Sequence, residues 1–326
     1  REFFAFADIL ENGEKSKYRD WYFIDGFPLK SEWGEIPNFK CFGYYGGMPK
    51  LNLKNPEVEK YITDVACYWI KECDIDGWRL DVGDEISHFF WKNFRKAVKA
   101  VKKDMLIIGE IWHYAGDFLE GDEWDTVMNY PFYLNLIDLL ADEKITVSQF
   151  VQNLGYLKGR LHKNCYPLMW NLIDSHDTAR FLHLCNDNKK KQHLAAAFQL
   201  LLPGMPMIYY GDEYAMPGAN DPDCRRGMYW DEEYQDKEMY EWYKRLIQVR
   251  KSHACIVEGE LAGSVTEDEE GTIVLIRKNG EETIAMIFNC SSSAKKFNEY
   301  TQKYNLLTEN TFDGNVEGFD AAVIVL

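Results

Sequence analysis

Three short apolar runs in this chain each lead into a carboxylate. They are Gly77-Trp78-Arg79-Leu80-Asp81, Ile107-Ile108-Gly109-Glu110 and Asn171-Leu172-Ile173-Asp174-Ser175-His176-Asp177. Runs of this length read as buried strands, and helical patterns lie between them. Asn55 caps a helix that has Pro56 at its first position. Val58, Ile62, Val65, Ala66, Trp69 and Ile70 share one of its faces. A strand over 77–82 follows. Next comes a helix from Ser87 to Lys103 with Phe90, Phe94, Val98 and Val101 inward, then a strand over 105–111. This alternation predicts right-handed crossovers and a parallel sheet. It continues with strands at Thr126–Asn129, Met169–Asp174 and Met207–Tyr210, and helices over 132–142, 146–160, 190–202 and 238–250. Polar residues stand at the C-terminal end of each strand, where a barrel of β/α units keeps its active face.

The pattern changes near Ser252. From Cys255 onward, β-branched runs alternate with turns, and Asn279-Gly280 is a hairpin signal. This stretch predicts a small antiparallel β-sandwich over 253–326. The catalytic β/α part is expected over 55–252. Residues 1–54, rich in aromatics, Gly and Pro, read as one long irregular excursion.

A formal net charge of −16 disfavours nucleic acid and anionic membranes as partners. No run of 18 apolar residues occurs. The eight cysteines form no CxxC pair and no regular framework, which predicts a reducing, cytoplasmic setting. Cys67 and Cys73 read as small buried hydrophobes. The chain opens on Arg-Glu-Phe-Phe, so a leader upstream is left open.

Side chains two apart on a strand share a face, so Arg79 and Asp81 should project together. A guanidinium keeps a neighbouring carboxylate ionised and oriented, as a nucleophile requires. Glu110 sits between an apolar strand and Ile111-Trp112, and such burial favours the protonated form of a carboxyl. Two carboxyls in unlike environments divide into nucleophile and proton donor, as in retaining glycoside hydrolysis. Asp177 and His176 are candidates for binding sugar hydroxyls. Tyr44, Tyr45 and Trp33 are candidates for stacking on sugar rings, with core packing as the alternative. His88 and His113 make no metal pair with a nearby His. Asp117, Asp122, Glu123 and Asp125 read as a solvated acidic loop, with a structural calcium site as the less favoured alternative. No cofactor is required by this chemistry.

The three strand-end segments resemble three conserved segments of the α-amylase family. Met48-Pro49-Lys50-Leu51-Asn52 resembles the extra segment of the neopullulanase, cyclomaltodextrinase and maltogenic amylase branch. Gly204-Met205-Pro206-Met207-Ile208-Tyr209-Tyr210-Gly211-Asp212-Glu213 resembles the eighth strand, and Asp221-Pro222-Asp223-Cys224-Arg225-Arg226 the loop after it. The resemblance implies an α/β fold: a (β/α)8 TIM-type barrel, represented here by strands 4–8, plus the C-terminal sandwich. It implies Asp81 as nucleophile, Glu110 as acid/base and Asp177 as transition-state stabiliser. Arg79, His176, Glu85, His113 and Tyr45 are the expected substrate-binding residues. The implied reaction is retaining hydrolysis of α-1,4-glucosidic bonds in maltooligosaccharides, cyclodextrins or pullulan, with transglycosylation. The alternatives are an oligo-1,6-glucosidase, against which Met48–Asn52 argues, and an inactive glucan-binding fragment.

Two departures stand out. The branch reads Val-Ala-Asn-Glu after the nucleophile, and this chain reads Val82-Gly83-Asp84-Glu85. The family's first conserved segment, Asp-x-x-x-Asn-His on its third strand, does not occur. The chain is therefore expected to be the C-terminal part of a longer enzyme. Besides an α-glucan oligosaccharide, the expected partner is a second copy or the missing N-terminal part, without which little activity is expected.

Overall fold

A computed structural model describes residues 2–31 and 36–326, so Trp33 lies outside the described residues. The chain divides into two compact units: residues 1–108 with 121–124, and residues 109–120 with 125–326.

In the first unit, α1 (Phe4–Asn12) buries Ala5, Phe6 and Ile9 against Trp21, Tyr22, Phe39 and Val58. This helix interrupts the stretch expected to be irregular. It begins at Phe3 with no side-chain cap, so no start signal marks it in the sequence. Helix α2 (Pro56–Cys73) starts as expected, with the Asn55 side chain accepting from the Glu57 N–H at 2.9 Å. Its apolar stripe is only partly used: Val58, Ala66 and Ile70 are buried, whereas Val65 and Trp69 are exposed. Cys73 is exposed too, contrary to expectation. Strand β1 (Gly77–Leu80) ends one residue before Asp81. Helix α3 (His88–Val101) is capped by Ser87 and buries Phe90, Trp91, Phe94 and Val98. Val101, expected inward, is exposed at the end of the last turn. Strand β2 (Leu106–Gly109) follows and neighbours β1.

The second unit carries β3 (Thr126–Val127), α4 (Tyr130–Leu136), a π turn (Ile137–Ala141), α5 (Val147–Arg160) and β4 (Trp170–Asn171). A full capping box, Thr146 with Gln149, starts α5. Then come α6 (Phe181–Leu184), α7 (Lys189–Leu201), β5 (Met205–Pro206) and α8 (Lys237–Ser252). Met128 bridges Trp170 in parallel, and β4 pairs β5 in parallel. β4 is shorter than the strand expected over Met169–Asp174, and β5 lies ahead of the strand expected over Met207–Tyr210, none of whose residues is in a strand. The Gln199 amide donates to the carbonyls of Asn171 (3.1 Å) and Met207 (2.8 Å), so a side chain takes over where the ladder ends.

After α9 (Cys255–Glu258) the chain turns to β structure. It forms β6 (Glu260–Glu267), β7 (Thr272–Asn279), β8 (Glu282–Asn289), β9 (Lys295–Lys296), β10 (Tyr304–Asn305), β11 (Asn310–Thr311), β12 (Asn315–Val316) and β13 (Asp320–Val325). Six of these form an antiparallel sheet in the order β11-β10-β13-β8-β7-β6, and β12 pairs β9 separately. Asn279 pairs Glu282, so the hairpin turn is centred on Gly280 (φ +61°) and Glu281, one residue later than Asn279-Gly280 suggests. Alternation splits the central strands between two cores. Ile273, Leu275, Ile284, Met286, Phe288, Ala321 and Val323 join the cluster formed with α4, α5, α7 and α8. Val274, Ala285, Ile287, Ala322 and Ile324 join a second cluster with Phe297, Phe312 and Val316.

Candidate active site

In the first unit, the turn after β1 carries the first candidate carboxylate. Arg79 Nη1 lies 2.5 Å from Asp81 Oδ1, so the two side chains share a face as the strand period requires. The Asp81 carboxylate is 78% exposed, open to a reactant. The backbone then reverses sharply. Val82 is left-handed (φ +45°, ψ +46°), which is costly for a β-branched residue. Gly83 follows, and a Cβ there would meet Trp124 Cζ2 at 2.7 Å. Trp91 Nε1 donates to the Gly83 carbonyl at 2.9 Å and ties the turn to α3. Glu85 forms an ion pair with Lys50, so the Met48–Asn52 segment and the turn after Asp81 are joined by charge. The Tyr45 ring is half exposed near Gly47.

In the acidic loop, Asp122 and Glu123 are engaged by side chains of helix α3. His88 Nδ1 contacts the Glu123 carboxylate at 2.9 Å, and Lys92 Nζ lies 2.8 Å from Asp122. Burial pushes the Glu123 carboxyl above its ordinary range, and His88 opposes that shift.

In the second unit, Glu110 follows directly on Gly109 and is 4% exposed. Trp112 Nε1 donates to Glu110 Oε1 at 3.3 Å. The Trp112 ring stacks on Tyr130, centroids 4.1 Å apart at 12°. Tyr130 Oη lies 3.1 Å from Ser175 Oγ, and Ser175 Oγ accepts from the Asp177 N–H at 3.1 Å. A continuous chain of contacts thus runs from Glu110 to Asp177. Asp177 is held from two further sides, by His176 Nε2 at 3.0 Å and Arg225 Nη2 at 3.1 Å. Arg225 also reaches Asp221 at 2.9 Å. Cys224 Sγ donates to the His176 carbonyl at 3.4 Å, pinning the same loop. His113 is exposed, with Nδ1 3.3 Å from the Tyr114 carbonyl.

The structure thus joins Arg79 with Asp81 in one unit, and Glu110, His176 and Asp177 in the other. Sequence reasoning placed Trp112 beside Glu110 but gave no role to Tyr130, Ser175 or Arg225. Ser175 and Arg225 stood only within the quoted segments 171–177 and 221–226, and Tyr130 carried no signal.

Each unit thus carries strand-end carboxylates on a β/α scaffold, and the comparisons identify the class. Residues 1–259 match the model of the α-amylase catalytic domain, and the chain belongs to that family. The cyclomaltodextrinase of Geobacillus thermopakistaniensis is 46% identical over 90% of this chain and 50% of its own length. Neopullulanase 2 of Thermoactinomyces vulgaris is 41% identical over 88% of this chain and 49% of its own. A solved cyclomaltodextrinase structure superposes with a TM-score of 0.92 at 36% identity, covering 98% of this chain and 57% of that one. The chain spans about half the length of the curated relatives it matches. Its fold is the barrel-type catalytic domain of the family, followed by a C-terminal antiparallel sheet.

Proposed function

We propose that this chain contributes the catalytic carboxylates of a retaining α-glucan hydrolase of the cyclomaltodextrinase, neopullulanase and maltogenic amylase type. The observation that carries the reading is the contrast between two strand-end carboxyls, Asp81 open beside Arg79 and Glu110 buried beside Trp112. Asp81 attacks the anomeric carbon while Glu110 protonates the departing glycosidic oxygen. The resulting glycosyl ester is then opened by water, whose proton Glu110 takes back, or by a sugar hydroxyl in transglycosylation. Asp177, with His176, binds sugar hydroxyls and favours the charged transition state. Glu85, His113 and Tyr45 line the substrate path. The substrates are α-1,4-linked maltooligosaccharides, cyclodextrins or pullulan, as the names of the relatives suggest. Eight free thiols support a reducing compartment.

The test is hydrolysis of a nitrophenyl maltoside, by the chain alone and by the chain joined to the part of a matched relative it does not span. Asp81→Asn should lose turnover by many orders of magnitude without unfolding, because an amide forms no glycosyl ester. Glu110→Gln should be crippled on the maltoside and far less so on a glycosyl fluoride, whose leaving group needs no proton. Equal losses on both substrates would remove Glu110 from the acid role. The first product should be the α anomer, and β-maltose in early spectra would exclude retention.

A further inference from the structure

Behind the loop that carries His176 and Asp177 lies a buried cluster with uneven charge. Asp174, Arg180 and Asp212 are each at most 1% exposed. Asp174 Oδ2 accepts from the Phe181 N–H at 2.7 Å, seven residues along, closing the loop on itself. Asp212 Oδ1 takes Arg180 Nη1 at 3.1 Å, and the Arg180 N–H donates to the Gly218 carbonyl at 3.0 Å. The guanidinium lies over the Tyr209 and Tyr210 rings at 4.5 and 4.9 Å. Both carboxyls therefore grip the same end of the His176–Asp177 loop.

Two carboxylates and one guanidinium would leave a net negative charge in the interior, where unpaired charge is costly. The other titratable groups acting on the cluster are Glu213, Tyr133, Tyr209 and Tyr243, with Asp142 beyond Tyr133, and none brings positive charge. One oxygen of each carboxyl, Asp174 Oδ1 and Asp212 Oδ2, accepts no hydrogen bond from any described residue. The two carboxyls lie within hydrogen-bonding reach of each other, a contact that needs one proton between them.

We propose that Asp174 and Asp212 share one proton in the folded protein, and that this neutral cluster with Arg180 is the device that positions the His176–Asp177 loop. The positioning half rests on the function proposed above, and the proton does not. In keeping with it, burial pushes Asp174 up to about 6 and Asp212 well above its ordinary value. The folded chain then holds a proton that the unfolded chain releases above about pH 4. Its stability is fully present below that pH and is lost as pH rises towards the folded values.

Three measurements test this. Infrared difference spectra at neutral pH should show a protonated carboxyl band in the parent that Asp174→Asn removes. The unfolding constant of the parent, relative to Asp174→Asn, should rise about tenfold per pH unit from about pH 4 upward, until the shared proton is lost. A parent without the band, or parallel pH profiles, would overturn the shared proton. Asp174→Asn keeps an acceptor for Phe181 and offers an N–H to Asp212, so maltoside turnover should stay within a few-fold of the parent, whereas Asp174→Ala should lose most of it. Equal turnover in the two variants would overturn the positioning role. If the band is present but no form hydrolyses glucan, even joined to the part of a matched relative it does not span, the proposed function fails and the shared proton stands.

Discussion

At the scale of single residues, the turn after Asp81 is built from two backbone exceptions. Val82 is left-handed, and Gly83 leaves room for Trp124. Gly83 stands where the branch carries Ala. A methyl group at this position would come within 2.7 Å of Trp124, which is only 1% exposed and has little room to retreat. Gly83→Ala should therefore destabilise by about 1–3 kcal/mol through overpacking. A denaturant series would measure this, and Trp124→Phe in the same chain should recover part of the loss. Arg225 is a second residue-scale case, because its guanidinium reaches Asp177 from 48 positions away in sequence. Losing a charge-assisted hydrogen bond costs about 1.5–3 kcal/mol. Arg225→Gln should lower kcat/KM on the maltoside by roughly one to two orders of magnitude, with the melting temperature unchanged. A loss of stability instead of kcat/KM would assign Arg225 to the fold.

At the scale of elements, helices with marked ends were legible. Asn55-Pro56, Ser87 and the helical pattern from residue 146 each mark a start that the structure keeps. The uncapped α1 was not legible, because its burial comes from Trp21, Tyr22 and Phe39, which no local pattern announces. The strand expected over Met169–Asp174 shrinks to β4, and the one expected over Met207–Tyr210 lies earlier, at β5, because a distant glutamine, Gln199, donates to the carbonyls of Asn171 and Met207 where an apolar run assigns a longer ladder. The candidate carboxylates were readable because each follows an apolar run. Their supports were not, because Trp112–Tyr130–Ser175 is a contact chain between separate elements. For the C-terminal sheet, Phe288 is fully buried and stacks on Phe198 of α7 at 4.3 Å. Phe288→Ala should cost about 3–5 kcal/mol. Val265→Ala on β6, where the side chain is 53% exposed, should stay within about 0.5 kcal/mol. Thermal unfolding of both variants would check the contrast.

At the scale of the whole molecule, buried titratable groups shape stability far from the candidate site. His193 stacks on Trp242 at 3.8 Å, and burial lowers its imidazole to about 4. Its Nδ1 is 3.5 Å from Asp320, whose carboxyl burial raises to about 6. Near pH 5 the folded pair keeps its proton on Asp320, and the unfolded pair keeps it on His193. The proton count is then equal, and the pair makes stability nearly independent of pH between about 4 and 6. Asp320→Asn removes the compensation. Relative to the parent, only His193 then differs, with the unfolded chain binding the extra proton, so the variant should lose stability against the parent as pH drops from about 6.5 towards 4. The ratio of its unfolding constant to the parent's should grow about tenfold per unit in that window. Parallel profiles of variant and parent would remove His193 from this role.

The double-sided burial of β7, β8 and β13 has a further consequence for how the chain finds its register. In most sheets a one-residue slip throws apolar side chains into water, and solvent rejects the error. Here both faces are covered, so a slipped β8 would exchange Ile284, Met286 and Phe288 with Ala285 and Ile287, moving one buried set into the place of another. Polarity would scarcely notice the mistake; only volume would, through a void on one side and a clash on the other. Selection against the misaligned hairpin thus falls to shape and to the two-residue turn at Gly280–Glu281. Lengthening that turn by one residue would create a competitor that is dry, compact and slow to correct.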